Sequence, residues 1–475
     1  MDLELTLKKY FGYDNFRPGQ KDIISSVLGA RDTLAILPTG GGKSICYQIP
    51  GLVFPEKTIV ISPLISLMQD QVETLNRKNI PAIFLNSSLP KKELAEKLNN
   101  LQKYKFIYLA PERLNSKKFL RAVGKIKIDL LAVDEAHCIA QWGHDFRPSY
   151  LQINDFLQKI KPQPVVMALT ATATPQVRDE IIKYLNLKKP KIFIKSFARK
   201  NLALNVFGYH STTAKEIDFC KILKKHSGES GIIYALTRAK TEQLAKLVNH
   251  FLGREICVAY HAGLEQNLRA QIQTDFIAGK IKLITATNAF GMGVDKSDVR
   301  FVIHFQMPGG LENYYQEVGR AGRDNENADC YLLTTESDLT INRQFIAKGN
   351  LKQQQNLTQK LHLMLKFARQ KKCKSRLVLN YFGEETKLDC KRCSICTKNK
   401  IVFNPQQLKI ILKLIDFRKK VTRKNKLHLN KIMTDQVIAW LSLFSPQTKD
   451  SLLKIPGIGQ GWVKQWGSDI IESCK

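Results

Sequence analysis

The sequence predicts an α/β protein of two tandem parallel-sheet lobes, followed by a helical segment with clustered cysteines and a small all-α domain. Three observations carry this prediction. Short apolar, β-branched runs alternate with helical stretches across residues 1–205 and again across 206–340, the pattern of strands joined by crossover helices. The β pattern then fades, and four of the ten cysteines crowd between Cys373 and Cys396. Residues 405–475 read as helical after a lysine-rich linker.

The composition narrows the class. Of 475 residues, 44% are hydrophobic and 24% charged, too apolar for a disordered chain and ordinary for a globular one. No run approaches the roughly 20 apolar residues that span a bilayer, and the acidic start Met1-Asp2-Leu3-Glu4 is unlike a signal peptide, so a soluble cytoplasmic protein is expected. Lysine and arginine number 74 against 42 acids, a net charge of +32. That excess predicts a polyanionic partner, nucleic acid first, because each neutralised phosphate releases a counterion. With no amphipathic basic anchor at either end, no membrane partner is expected. Residues 397–475 hold 15 Lys and Arg against 5 Asp and Glu, which suits an auxiliary nucleic-acid contact.

In the first lobe the candidate strands are 33–37, 58–62, 106–110, 130–134 and 165–170, several ending in reactive residues at the edge where such sheets bind ligands. The first runs into Pro38-Thr39-Gly40-Gly41-Gly42-Lys43-Ser44 and a helix. Glycines let backbone N–H groups wrap phosphates, Lys43 would reach the β/γ-phosphates and Ser44 would ligate Mg²⁺. Leu37 stands where the general pattern has its first glycine. The strand 130–134 ends in Asp134-Glu135: Asp134 would hold Mg²⁺ and Glu135 would polarise an attacking water.

The second lobe offers strands at 231–234, 256–260, 282–286 and 300–305 and ends in Gln316-Glu317-Val318-Gly319-Arg320-Ala321-Gly322-Arg323. Arg320 and Arg323 could reach across a cleft to a γ-phosphate; alone, such a pair reads as a surface contact. A helix is expected over 344–368. Cys373, with Cys390, Cys393 and Cys396 at two-residue gaps, suits a tetrahedral structural zinc site with no open position for catalysis. An iron–sulfur cluster is the alternative.

Together the glycine loop, Asp134-Glu135-Ala136-His137, Ala168-Leu169-Thr170-Ala171-Thr172-Ala173 and the run 316–323 resemble the superfamily 2 helicases. Phe11-Gly12-Tyr13 with Phe16-Arg17-Pro18-Gly19-Gln20, the loop Gln141-Trp142-Gly143-His144-Asp145-Phe146-Arg147-Pro148, and Ala289-Phe290-Gly291-Met292-Gly293-Val294-Asp295 narrow it to RecQ-type DNA helicases. Phe382-Gly383-Glu384 after Cys373 resembles the RecQ zinc subdomain, and Leu453-Lys454-Ile455-Pro456-Gly457-Ile458-Gly459 resembles the second half of an HRDC-type domain.

The resemblance implies RecA-like lobes at 1–205 (ATP-binding) and 206–340, a zinc subdomain at 341–400 and an HRDC-like domain at 405–475. By it, Thr39, Gly40, Gly41, Gly42, Lys43, Ser44, Asp134 and Gln316 would bind nucleotide, Tyr13 and Arg17 would sandwich adenine and Gln20 would read its edge. Trp142, Phe146 and Arg147 would touch single-stranded DNA, while 63–67, 170–172, Thr237-Arg238 and His261-Ala262-Gly263 would line the DNA track or couple it to the cleft.

The expected activity is that of an ATP-dependent DNA helicase using ATP, Mg²⁺ and Zn²⁺. It would move 3′→5′ on single-stranded DNA and open tailed duplexes in repair and recombination, working as a monomer in the bacterial cytoplasm or nucleoid. The rival readings are a translocase without strand separation, a zinc-containing DNA-binding protein with a vestigial ATPase, and an RNA helicase, against which the aromatic loop argues. Too few residues follow Cys396 for the family's winged-helix domain, which puts duplex unwinding in doubt.

Overall fold

The computed structural model describes residues 2–38, 40–86, 89–140, 145–291, 296–398, 405–425, 432–455 and 457–474. The first sheet holds seven strands: β1 (Thr33–Ile36), β2 (Lys57–Ile61), β3 (Ala82–Leu85), β4 (Phe106–Leu109), β5 (Ile128–Val133), β6 (Val165–Thr170) and β7 (Lys191–Ile194). They pair in parallel in the order β3-β4-β2-β5-β6-β1-β7. Alternate residues feed two cores: Leu34 and Ile36 face one side of β1, Ala35 and Leu37 the other. Burial on both faces explains why these strands read as continuous apolar runs.

The second sheet holds β8 (Leu202–Tyr209), β9 (Ser230–Tyr234), β10 (Cys257–Tyr260), β11 (Leu283–Ala286), β12 (Val299–His304) and β13 (Ala328–Thr335). Their order is β10-β11-β9-β12-β13-β8, again parallel. The expected lobe boundary at 205/206 is corrected by β8, which pairs along its whole length with β13 and so belongs wholly to the second lobe. The expected end of that lobe at 340 falls inside the helix Glu336–Ile346. The helix expected over 344–368 is two helices, because Asn350 caps a new one at Leu351–Arg369, accepting from Gln353 N at 3.0 Å.

The last domain comprises helices Pro405–Asn425, Asp435–Phe444, Lys449–Leu453 and Gln460–Ser473, closed around the buried Trp440. It packs on the second lobe, with Phe444 edge-on to Phe251 at 5.1 Å and Gln436 Nε2 donating to Glu216 Oε2 at 3.1 Å. Among the described residues, no helix is long and apolar enough to cross a membrane.

Candidate active site

Both lobes present their chemistry at the carboxyl ends of strands. After β1 the chain turns through Gly40 (φ +79°) and Gly42 (φ +74°) into the helix Lys43–Val53, leaving the first N–H groups of the helix to a ligand. Gly42 is doubly constrained, because a Cβ there would lie 2.4 Å from Gln20 Nε2. Gln20 braces the loop: its Nε2 donates to Gly42 O at 3.0 Å and its Oε1 accepts from Arg17 N at 2.8 Å. Arg17 in turn donates to Gly40 O, and Tyr13 stands exposed. The amide expected to read a base edge is thus tied to the phosphate loop. Thr39 lies outside the described residues.

Asp134 follows β5, its N–H donating to Ile61 O at 2.9 Å. Burial, reinforced by the neighbouring Glu135 charge and opposed by Lys43, pushes its carboxyl up to about 6. Glu135 takes a left-handed backbone (φ +46°), and its N–H donates to Asp134 Oδ1 at 2.9 Å.

From Glu135 a polar chain crosses the cleft. His137 Nδ1 lies 3.3 Å from Glu135 Oε2 and 2.8 Å from Thr170 Oγ1. Thr170 Oγ1 accepts from Thr172 N at 3.3 Å, and Gln316 Nε2 of the second lobe donates to Thr172 Oγ1 at 3.0 Å. The expected nucleotide-binding residue Gln316 therefore meets the other lobe here.

The two arginines differ. A Cβ on Gly40 would lie 3.9 Å from Arg323 Cγ, so Arg323 crosses to the phosphate loop. Arg320 is buried and donates to Gly291 O in its own lobe. Their turn is held by two residues that no motif marks: Arg199 and Asn201, in the segment between the sheets, donate to its carbonyls.

A cleft of about 650 Å³ between the lobes is lined by Pro63, Arg147, Arg269, Asn288, Gln316 and Arg320, among others. Arg147 closes one wall, donating to Pro63 O at 2.8 Å and to Asp145 Oδ2 at 2.9 Å. Phe146 is half-buried, and Trp142 lies outside the described residues. His261 pairs with Glu242 at 3.1 Å, and Thr237 caps the helix Arg238–Leu252; both positions have structural work beside any DNA contact.

The sulfurs of Cys373, Cys390, Cys393 and Cys396 all lie within 4.8 Å of one another. Sγ separations of 3.9 Å (Cys390 to Cys396) and 3.5 Å (Cys393 to Cys396) approach the ~3.8 Å edge of a tetrahedron with 2.3 Å zinc–sulfur bonds. Backbone N–H groups of Cys390, Lys374 and Cys393 point at sulfurs at 3.2–3.4 Å, as thiolates require. These residues fit zinc, which would cross-link the helix Lys374–Tyr381 to the 390–396 turn.

Comparison with known proteins agrees with this arrangement. Four family profiles match in series: DEAD/DEAH box helicase at 17–181, helicase conserved C-terminal domain at 214–325, RecQ zinc-binding at 336–397 and HRDC domain at 407–474. The chain is 43% identical over 396 residues to the ATP-dependent DNA helicase RecQ of Bacillus subtilis, covering 82% of this chain and 66% of that protein. It is 42% identical over 345 residues to the probable ATP-dependent DNA helicase RecS of the same organism, covering 72% and 69%. The chain thus spans a little under two thirds of the length of the RecQ relative. Among solved structures, Mss116p bound to single-stranded RNA and AMP-PNP shares the fold, with a TM-score of 0.61 at 16% identity over 100% of this chain and 94% of that one. With two parallel-sheet lobes, a four-cysteine module and an HRDC domain in that order, the chain belongs to the RecQ family of helicases.

Proposed function

We propose that the protein is an ATP-dependent DNA helicase that moves 3′→5′ along single-stranded DNA and separates strands ahead of it, in repair and recombination. The observation that carries this reading is the crossing of the cleft: Arg323 stands against Gly40 while Gln316 bonds Thr172. Nucleotide in the loop would draw both lobes together, and its hydrolysis would release them.

Lys43 binds the β/γ-phosphates, Glu135 accepts the proton of the attacking water, and Arg323 meets the charge that develops in transfer. Ser44 and Asp134 would hold Mg²⁺, which would supply neutralising positive charge for phosphoryl transfer. Tyr13 and Arg17 would flank adenine, with Gln20 reporting it to the loop through Gly42. Trp142, Phe146 and Arg147 would contact single-stranded DNA by stacking that tolerates any base.

A translocase without strand separation is the second reading. It is favoured by the spacing of the zinc-binding and HRDC matches, which leaves only residues 398–406 between them and no winged helix there. The test is ATP hydrolysis with and without single-stranded DNA or RNA, paired with displacement of a labelled strand from a 3′-tailed duplex. Stimulation by DNA with displacement establishes the helicase; stimulation without displacement establishes the translocase; preference for RNA overturns both. Elemental analysis should find one zinc per chain, lost in Cys393→Ser.

A further inference from the structure

The turn bearing Arg320 and Arg323 is fastened both from its own lobe, where Gly322 N donates to Val299 O of β12 at 2.9 Å, and from the segment that precedes β8. The helix Leu311–Val318 ends at Gly319, and a helix end leaves carbonyls without intrahelical donors. Arg199 supplies them: its Nη2 donates to Ala321 O and Gly322 O, each at 2.9 Å, and its Nη1 reaches Gly319 O at 3.4 Å. Asn201 Nδ2 donates to Gly322 O and Glu326 O, both at 2.8 Å. A cation at a helix C-terminus also suits the helix dipole.

The residue these donors converge on is constrained twice. Gly322 has φ +56°, and a Cβ there would lie 2.4 Å from Asn201 Nδ2 and 2.6 Å from Glu326 O. The approach is close because the turn is clamped.

Arg199 also stands in the segment that joins β7 to β8, where the two lobes meet. Two residues earlier, Phe197 is held on three sides. Its N–H donates to Glu384 Oε2 at 2.8 Å, its ring stacks on Phe382 at 4.7 Å, and its carbonyl accepts from Tyr315 of the helix that leads into the turn. The joining segment is therefore fixed at Phe197 by the four-cysteine module and at Arg199 and Asn201 by the arginine turn.

We propose that Arg199, seconded by Asn201, is a positioning residue for ATP hydrolysis: it sets the turn from which Arg323 reaches the phosphate loop. The inference rests on the ATPase reading above. The Arg199 side chain donates to carbonyls of the turn and to Asn201 Oδ1, groups that belong to neither Lys43 nor its loop, so it acts on the step in which transferred charge develops and leaves nucleotide binding intact. A displacement of about 1 Å at such a group costs on the order of 10²-fold in rate.

The experiment uses the full zinc-loaded chain and separates kcat from KM for ATP at saturating single-stranded DNA. Arg199→Ala should lower kcat by roughly 10²-fold with KM changed less than about twofold. Arg199→Lys keeps the charge but lacks the planar fork that serves three carbonyls, so it should recover part of the loss. Thermal melting reports the folded fraction of each variant. The inference is overturned by a folded Arg199→Ala that keeps kcat, by KM rising in step with the lost rate, or by a loss that follows only the folded fraction. If Arg199→Ala does not fold, Arg199→Lys decides alone: wild-type kcat in it overturns the inference, and reduced kcat at unchanged KM upholds it. A wild-type chain without DNA-stimulated hydrolysis overturns the ATPase reading and this inference together; an active wild type with an equally active Arg199→Ala overturns the inference alone.

Discussion

In the first lobe four groups sit at or just beyond the carboxyl end of a strand: Lys43 on the helix after β1, Asp134 and Glu135 after β5, and Thr170 at the end of β6. In the second lobe Arg320 and Arg323 follow a helix, and their turn is held by side chains more than a hundred residues earlier in the chain. These first-lobe groups form a half placed by its own strands, and the arginine turn a half clamped by hydrogen bonds from a distant segment to its carbonyls. The local half should therefore fail through binding and proton transfer, and the clamped half through rate alone.

The largest effect is expected at Glu135. Glu135→Gln keeps the size of the side chain and the left-handed turn but removes the base, which general-base catalysis values at about 10²–10⁴-fold. DNA-stimulated hydrolysis should fall by that factor while a nucleotide-binding titration stays unchanged. Normal turnover would remove Glu135 from the role of base.

A matched pair of glycine substitutions divides the halves directly. Gly42→Ala and Gly322→Ala share an obstacle, a left-handed φ and a Cβ 2.4 Å from a side-chain amide nitrogen, to which Gly322 adds Glu326 O at 2.6 Å, and a left-handed residue with a Cβ costs roughly 1–2 kcal/mol. Gly42→Ala displaces Gln20 from the phosphate loop and should raise KM for ATP about tenfold. Gly322→Ala displaces Asn201 from the arginine turn and should lower kcat about tenfold with KM kept. The same kinetic signature in both variants would erase the distinction between the halves.

This division also explains what could be read in advance. Three glycines before Lys43-Ser44 and the adjacent acids Asp134-Glu135 announce their chemistry because phosphate loops and metal-binding carboxylates need those residue types at those places. Cys390, Cys393 and Cys396 are legible for the same reason, since sulfur spacing sets ligand spacing. Arg199 carries no such sign, because its partners are backbone carbonyls, which every residue possesses. The register of β8 was hidden similarly. Leu202–Tyr209 is an edge strand whose first half is buried and second half mostly half-buried, and the polar Asn205 interrupts its apolar run at the midpoint, where the expected lobe boundary falls. Gln20 is assigned to the adenine edge by the family resemblance alone, and its hydrogen bond to Gly42 O depends on a φ that no spacing reveals.

The smallest expected effect lies where the halves meet. Gln316 Nε2 to Thr172 Oγ1, at 3.0 Å, joins the second lobe to the chain Thr172, Thr170, His137, Glu135. A hydrogen bond of this kind contributes about 0.5–1.5 kcal/mol, or roughly 2- to 13-fold in rate. Gln316→Ala should therefore lower kcat only several-fold. Its informative readout is the ratio of DNA-stimulated to basal hydrolysis, because removing Gln316 leaves Lys43, Glu135 and Arg323 in place and breaks only the hydrogen bond that ties the second lobe to Thr172. Thr172→Val removes the same bond from the other side with little change in volume. If the link couples the halves, the double variant should show no more loss than either single one. Additive losses would mean that the two side chains act separately, and that the clamped half communicates with the local half through Arg323 alone.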